Sequence, residues 1–203
     1  MVIEAARDIV RTGIRPRRSI RFVLFTGSEM GMPGSWAYVR AHRAELDRAR
    51  GSIVFSSGCA RIVGYILSGR HDIGPGVREA IKPAETLDAG QIQFDAGLGT
   101  ANFDFQLEGV PTLTTIQEKV SLVHAPVSHG DASEISGVED LKRNTAVVAV
   151  AAFGIAERIE PIGPRQSRAE IESLLKTTGL DEQMKTAGLW SAWQSGQRGR
   201  FPQ

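Results

Sequence analysis

Three short runs rich in β-formers punctuate this chain: "SIRFVLFTG" at 19–27, "GSIVFSSG" at 51–58 and "VPTLTTI" at 110–116. Between them lie stretches whose apolar residues recur at helical spacing. A strand that is apolar along its whole length must be covered on both faces, and parallel neighbours need a helical crossover. This alternation predicts an α/β fold: a three-layer α/β/α arrangement around a mostly parallel, mixed central sheet.

The finer reading places a helix over 2–13, closed by Gly13, with Val2, Ile3, Ala6, Ile9 and Val10 as its apolar stripe. No capping residue and no strand introduce it, so the chain reads as one that begins inside an element. A helix over 35–49 takes Ser35 as its N-cap. Residues 61–69 are extended with a turn, 74–84 start a helix with Pro75 in its first turn, and 90–97 hold a short strand. Asn102 and Asp104 fall at the start of a short helix over 101–109, where capping is the expected role and contact with substrate the alternative. Residues 117–137 form a long loop carrying His124, His129 and Asp131, and 137–159 a long helix with an acidic start. Ser167 and Glu170 form a capping box. Beyond Pro161 and Pro164 the composition shifts, dividing the chain into a main portion (1–160) and an appended helical tail (161–203). Trp190 and Trp193 are expected to pin that tail to the domain.

Composition narrows the function classes. A net charge of +1 supplies no global field to draw nucleic acid or a membrane surface. The basic clusters "RPRRSIR" and "GQRGR" are read as solvated loops or ends. The single cysteine, Cys59, rules out an internal disulfide and a cysteine-based zinc knuckle, and reads as a small buried hydrophobe. His42 and His71 read as surface residues. No run approaches the length of a membrane span, and no secretory signal opens the chain.

The stretch "TGSEMGMPGS" (26–35) sets one carboxylate, Glu29, in a glycine-bounded turn after an apolar run. α/β enzymes often place chemistry at such a point. Together with "GTANFDFQLEGVPTL" and "SHGDASEISGVEDLKRNTAVVAVAAFGIAE", this stretch resembles the co-catalytic zinc exopeptidases of peptidase family M28, in the branch of the plasma glutamate carboxypeptidases. The likeness runs through essentially the whole chain but corresponds only to the C-terminal half of a typical member. It implies a fold incomplete at its N-terminus.

The resemblance implies zinc as cofactor, a peptide substrate or ligand, and hydrolysis by metal-activated water of the aminopeptidase, dipeptidase or carboxypeptidase type. Carried over position by position, the general base falls on Ser28 and a metal ligand on Glu29. A second ligand position falls on Ser56, a poor donor for zinc. The last ligand is a histidine four residues before an aspartate. Counting back from the closing helix puts Asp131 at the aspartate and Val127 at the histidine; a shift of two or three residues brings in His124, and His129 lies nearby. The family's aspartate after Gly-Thr falls on Ala101. No catalytic residue is intact in this reading, so the chain is expected to be inactive or strongly impaired, with zinc binding in doubt. A non-catalytic peptide- or protein-binding scaffold, or a gene fragment needing an N-terminal half, is the alternative. A homo-oligomer or partner covering the shortened sheet is the interaction expected. The branch is usually secreted or periplasmic; without a signal segment, a complete chain would stay in the cytoplasm.

Overall fold

The computed structural model describes residues 1–55, 60–118 and 138–201. Among them are four strands: β1 (Ser52–Val54), β2 (Ile62–Ile66), β3 (Gln91–Gln93) and β4 (Thr112–Gln117). The sheet order is β1-β4-β2-β3. β1 runs parallel to β4 and β3 parallel to β2, while the central β2/β4 pair is antiparallel. The sheet is therefore mixed and open, with helices flanking it.

Among the described residues are eight α-helices: α1 (Val2–Arg11), α2 (Pro33–Ala41), α3 (Gly74–Ile81), α4 (Asn102–Leu107), α5 (Val138–Glu157), α6 (Arg168–Thr177), α7 (Leu180–Thr186) and α8 (Trp190–Gln194). One layer is α1, α3 and α5. Ala5 and Ile9 of α1 and Val147, Val148, Ala151 and Ile155 of α5 are buried there. Within that core Ala5 and the four α5 residues meet Tyr65, Leu67 and Leu113 of the sheet region. At about 25 cal/mol per Å2 of apolar surface, such a shared core is the main stabilising term. The second layer is α2 and α4, with Val39, Leu46, Val110, Tyr38 and Phe105 packed together.

β2 carries an irregularity between Ile62 and Gly64 in its pairing with β4. The Ile62 N–H is taken by Asn144 Oδ1 of α5 at 2.8 Å, and Asn144 Nδ2 donates to the Ala60 carbonyl at 3.0 Å. A buried amide at a bulge needs such a partner. Gly64 is required by close approach, since a Cβ there would sit 2.1 Å from the Gln91 carbonyl oxygen.

The tail is no loose appendage. Phe103 and Leu107 of α4 share one buried cluster with Ile171, Leu175, Leu180, Met184 and Trp193. The Ser167–Glu170 capping box opens α6 as expected. Trp193 is buried and pins α8, with Arg168 stacked over its ring at 4.0 Å.

Several sequence expectations need correction. Residues 19–27 have no regular secondary structure and pair with no strand among the described residues. Phe22 packs toward the α1/α5 layer and Phe25 against Tyr38 and Phe105. The run is only partly covered: Phe22 and Phe25 are half-buried, Leu24 is 70% exposed, and no neighbouring backbone among the described residues forms a ladder with it. The helix expected over 35–49 begins at Pro33 and ends at Ala41, with a 3-10 segment over Arg43–Arg48. Ser35 is inside the helix and caps nothing, because the left-handed Met32 (φ 61°) is the residue before the first turn. Ala101 precedes α4 with no side-chain cap, so neither Asn102 nor Asp104 caps it. The "GQRGR" cluster is not a solvated end, since Arg198 is only 4% exposed. His71 is exposed as expected, stacked on Phe94, whereas His42 is only partly exposed and pairs with Glu45. Cys59 lies outside the described residues.

Candidate functional site

The stretch 26–35 folds as a single 3-10 turn, Ser28–Met30, between two left-handed glycines, Gly27 (φ 73°) and Gly31 (φ 84°). The amides of Met30 and Met32 both donate to the Gly27 carbonyl, at 3.0 and 3.2 Å. Positive φ is cheap for glycine and strained for other residues, which explains the glycine spacing. Gly34 serves differently: a Cβ there would lie 2.7 Å from the Thr26 carbonyl oxygen, so α2 can begin only where the incoming segment finds no side chain. Ser28 is exposed on this turn and Glu29 is its middle residue.

Below the turn sits a buried carboxylate. Asp104 of α4 is 1% exposed. Ser35 Oγ donates to its Oδ2 at 2.6 Å. Arg198 donates through Nε to Oδ1 at 2.7 Å and through Nη2 to Oδ2 at 3.2 Å. The same Nη2 reaches the Gly31 carbonyl at 3.3 Å. A buried charge is tolerated when it is paired and its lone pairs are filled, and both conditions hold here.

Asn102 belongs to a separate polar group. Its Nδ2 donates to Ser68 Oγ at 3.0 Å, and Thr100 Oγ1 donates to its Oδ1. Gln106 donates to the Ser68 carbonyl at 3.1 Å. Ser68, Thr100 and Asn102 line a cavity of about 230 Å3 with Ile66, Asp95 and Thr114.

On the outer side of α2, Arg21 donates to the Tyr38 hydroxyl at 3.0 Å and to Glu45 at 2.8 Å. His42 Nδ1 lies 2.7 Å from the other Glu45 oxygen. The hydrogen bonds from His42 and then Arg21 hold the Glu45 carboxyl down at about 2. This cluster anchors the segment before the turn. It includes no expected site residue.

Of the residues expected at a site, the structure therefore brings Ser28 and Glu29 onto one turn, with Asp104 beneath it and Asn102 two positions away on α4. Ser56, His124 and Asp131 lie outside the described residues.

A profile of Peptidase family M28 matches residues 1–149. The chain belongs to peptidase family M28. Among curated relatives, carboxypeptidase Q from Bos taurus is 28% identical over 165 residues, covering 80% of this chain and 34% of the relative. Carboxypeptidase Q from Mus musculus is 27% identical over 158 residues, covering 77% of this chain and 33% of the relative. The chain thus spans about a third of the length of these curated relatives. A peptidase M28 precursor from Shewanella amazonensis SB2B superposes with a TM-score of 0.69 at 26% identity, over 82% of this chain and 38% of that one. An aminopeptidase from Aneurinibacillus sp. strain AM-1 shares the fold, with a TM-score of 0.59 at 24% identity, over 82% of this chain and 41% of that one. The mixed sheet with flanking helices is the architecture of these M28 neighbours.

M28 peptidases are generally metal-dependent. Among the described residues, no group of three or more histidine, cysteine, aspartate and glutamate side chains comes together as a cation site. His42 faces Glu45, and His71 is stacked on Phe94 with ring centroids 4.1 Å apart. Asp104 spends both oxygens on Arg198 and Ser35. The described donor set does not fit a metal ion.

Sequence reasoning missed the Ser35–Asp104–Arg198 network. Asp104 sits between Phe103 and Phe105, and a carboxylate flanked by two aromatic residues is a usable sign of burial. Nothing in "GQRGR" announced which arginine would be its partner.

Proposed function

We propose that this chain is an M28 metallopeptidase scaffold in which the ancestral reaction, zinc-dependent hydrolysis of peptide bonds, is absent or strongly impaired. The observation that carries this reading is Ser28. It is exposed on a turn bounded by left-handed glycines, and the motif resemblance sets it against the family's general base. A neutral hydroxyl cannot take a proton from water at neutral pH, and losing a positioned base costs on the order of 10²–10⁴ in rate. Ser56, at a ligand position, supports the same reading from the sequence. Both residues lie well inside the chain, so the proposal does not depend on where the chain begins.

The ligand class is peptide, by kinship with the carboxypeptidases and aminopeptidases it resembles. A second reading, a non-catalytic scaffold for a peptide or protein partner, is favoured by one observation. The turn is still tied into the core by Asp104 although the base position is filled by serine.

The test is hydrolysis of aminoacyl-nitroanilides and dipeptides by the purified chain with zinc, with and without a chelator. The expected outcome is turnover at least about 100-fold below an active M28 aminopeptidase, in keeping with loss of the base. Chelator-sensitive turnover matching that enzyme would overturn the proposal. Calorimetric binding of an uncleaved dipeptide would select the scaffold reading.

A further inference from the structure

Residues 196–201 lie well beyond the 1–149 matched by the family profile, yet they touch the turn that carries Ser28 and Glu29. After α8 the chain bends back through two left-handed glycines, Gly196 (φ 74°) and Gly199 (φ 92°). A Cβ on Gly199 would lie 2.7 Å from the Trp193 ring and 2.9 Å from Leu107, so only glycine lets the segment close onto α4.

From there the segment is fastened at successive residues. Trp36 Nε1 donates to the Gln197 carbonyl at 3.3 Å. Arg43 donates to the Gly199 carbonyl at 2.8 Å. The Arg200 amide donates to the Leu107 carbonyl at 2.9 Å. Arg198 alone among these passes inward, meeting both oxygens of Asp104 and the carbonyl of Gly31. Its guanidinium also lies over the Trp36 ring at 5.3 Å. Gly31 is the left-handed residue that ends the 3-10 turn, and Ser35, two residues into α2 from Pro33, holds the same carboxylate.

We propose that the C-terminal segment is a strap and that Arg198 is the positioning residue that fixes the conformation of turn 27–35. The guanidinium fork does two things at once that a point charge cannot: it neutralises Asp104 and holds the Gly31 carbonyl. The order of a turn within the profile-matched residues is thereby set from a segment beyond them. This inference is independent of whether the chain retains any hydrolytic activity.

Native-state amide hydrogen exchange on the full chain tests it, because local opening and global unfolding separate in one experiment. The reporters are the Met30 and Met32 amides, which close the turn on the Gly27 carbonyl, against the amides of Val147 to Ala151 in α5. Arg198→Lys keeps a cation beside Asp104 and gives up the fork. Exchange at Met30 and Met32 is expected to rise about tenfold or more while the α5 amides are unchanged. Arg43→Lys, which loosens the strap at Gly199 and the Glu108 pair but touches neither Asp104 nor Gly31, is expected to leave the turn close to wild type. Ser35→Ala, which leaves the ion pair in place, is expected to shift the turn in the same direction by less, and decides the matter should Arg198→Lys not fold. Equal acceleration of turn and α5 amides, or an unchanged turn in folded Arg198→Lys or, failing that variant, in Ser35→Ala, overturns the proposal.

Discussion

Arg165 holds Glu108 twice: Nη2 donates to Oε2 at 3.0 Å, and Nε donates to the carbonyl oxygen of the same residue at 2.7 Å. Arg43 Nε donates to the remaining carboxylate oxygen at 2.9 Å. The Glu108 side chain has no exposed surface. This carboxylate lies where α4 turns into β4, so it joins the α2 side, the sheet and the approach to α6 at one point.

Glu108→Ala would take the shared buried carboxylate from two guanidinium groups, leaving Arg43 the Gly199 carbonyl and Arg165 Asp47. Breaking a buried pair by removing one partner costs about 3–5 kcal/mol. The expected result is a urea midpoint lowered accordingly. Arg165→Lys should cost less, because Arg43 continues to neutralise the carboxylate. A loss below about 1 kcal/mol for Glu108→Ala would place this pair with ordinary surface ion pairs.

The glycines of the 26–35 turn give a second, graded prediction. Gly31→Ala meets open space and carries only the left-handed penalty, about 1–2 kcal/mol. Gly34→Ala drives a methyl against the Thr26 backbone, a contact that no rotamer can relieve. Gly34→Ala should be the more damaging by thermal unfolding, although its own φ is ordinary. The opposite ranking would mean that backbone strain, not the close approach of α2, sets the glycine requirement.

The bulge in β2 is the third. Asn144→Ala removes the acceptor for the Ile62 amide and the donor to Ala60, leaving buried backbone groups unsatisfied at about 1–3 kcal/mol. Denaturation should show that loss with an unchanged slope against urea concentration, since the surface exposed on unfolding stays the same.

Acid stability supplies the fourth. Arg70, almost fully buried, donates from Nε and Nη2 to the two oxygens of Asp72, each at 2.7 Å. Those hydrogen bonds hold the Asp72 carboxyl below its ordinary value. A carboxyl depressed in the folded state contributes stability that is complete above its unfolded pKa, about 3.9, and is lost as pH falls through the folded value. Asp72→Asn should therefore lower stability at neutral pH, and the gap to wild type should close below about pH 4. A gap that persists at pH 2 would assign the effect to packing.

How much of this was legible in the sequence depends on whether the cause was local. The Ser167–Glu170 box, the turn glycines and the strands expected at 51–58 and 110–116 are local, and they appear where the pattern puts them. The 19–27 run has the composition of a strand, but a strand also needs a partner backbone, which composition does not carry. Ser35 has the right residue type for a cap, but Pro33 starts the helix two residues earlier and frees the hydroxyl for Asp104, 69 positions away. Arg198 and Arg200 look like a solvated basic end because nothing within ten residues shows the Asp104 carboxylate or the carbonyl groups they meet. The family resemblance came through whole motifs, and so reached further than single residues could.

At the opposite side of the sheet, Arg18 collects the carbonyl oxygens of Ala156, Arg158 and Ile159 past the end of α5, across 138 to 141 positions of chain. A cation there satisfies groups the helix leaves open and complements its dipole. During synthesis Arg18 emerges well before its acceptors, which follow only after every described strand has been made. Until then α1 has no α5 to lie against, and the apolar side chains it buries stay open to other molecules. Contacts spanning this much chain slow folding because the loop must close before they stabilise anything. For a cell making this protein, the vulnerable interval is the time needed to translate residues 19 to 159.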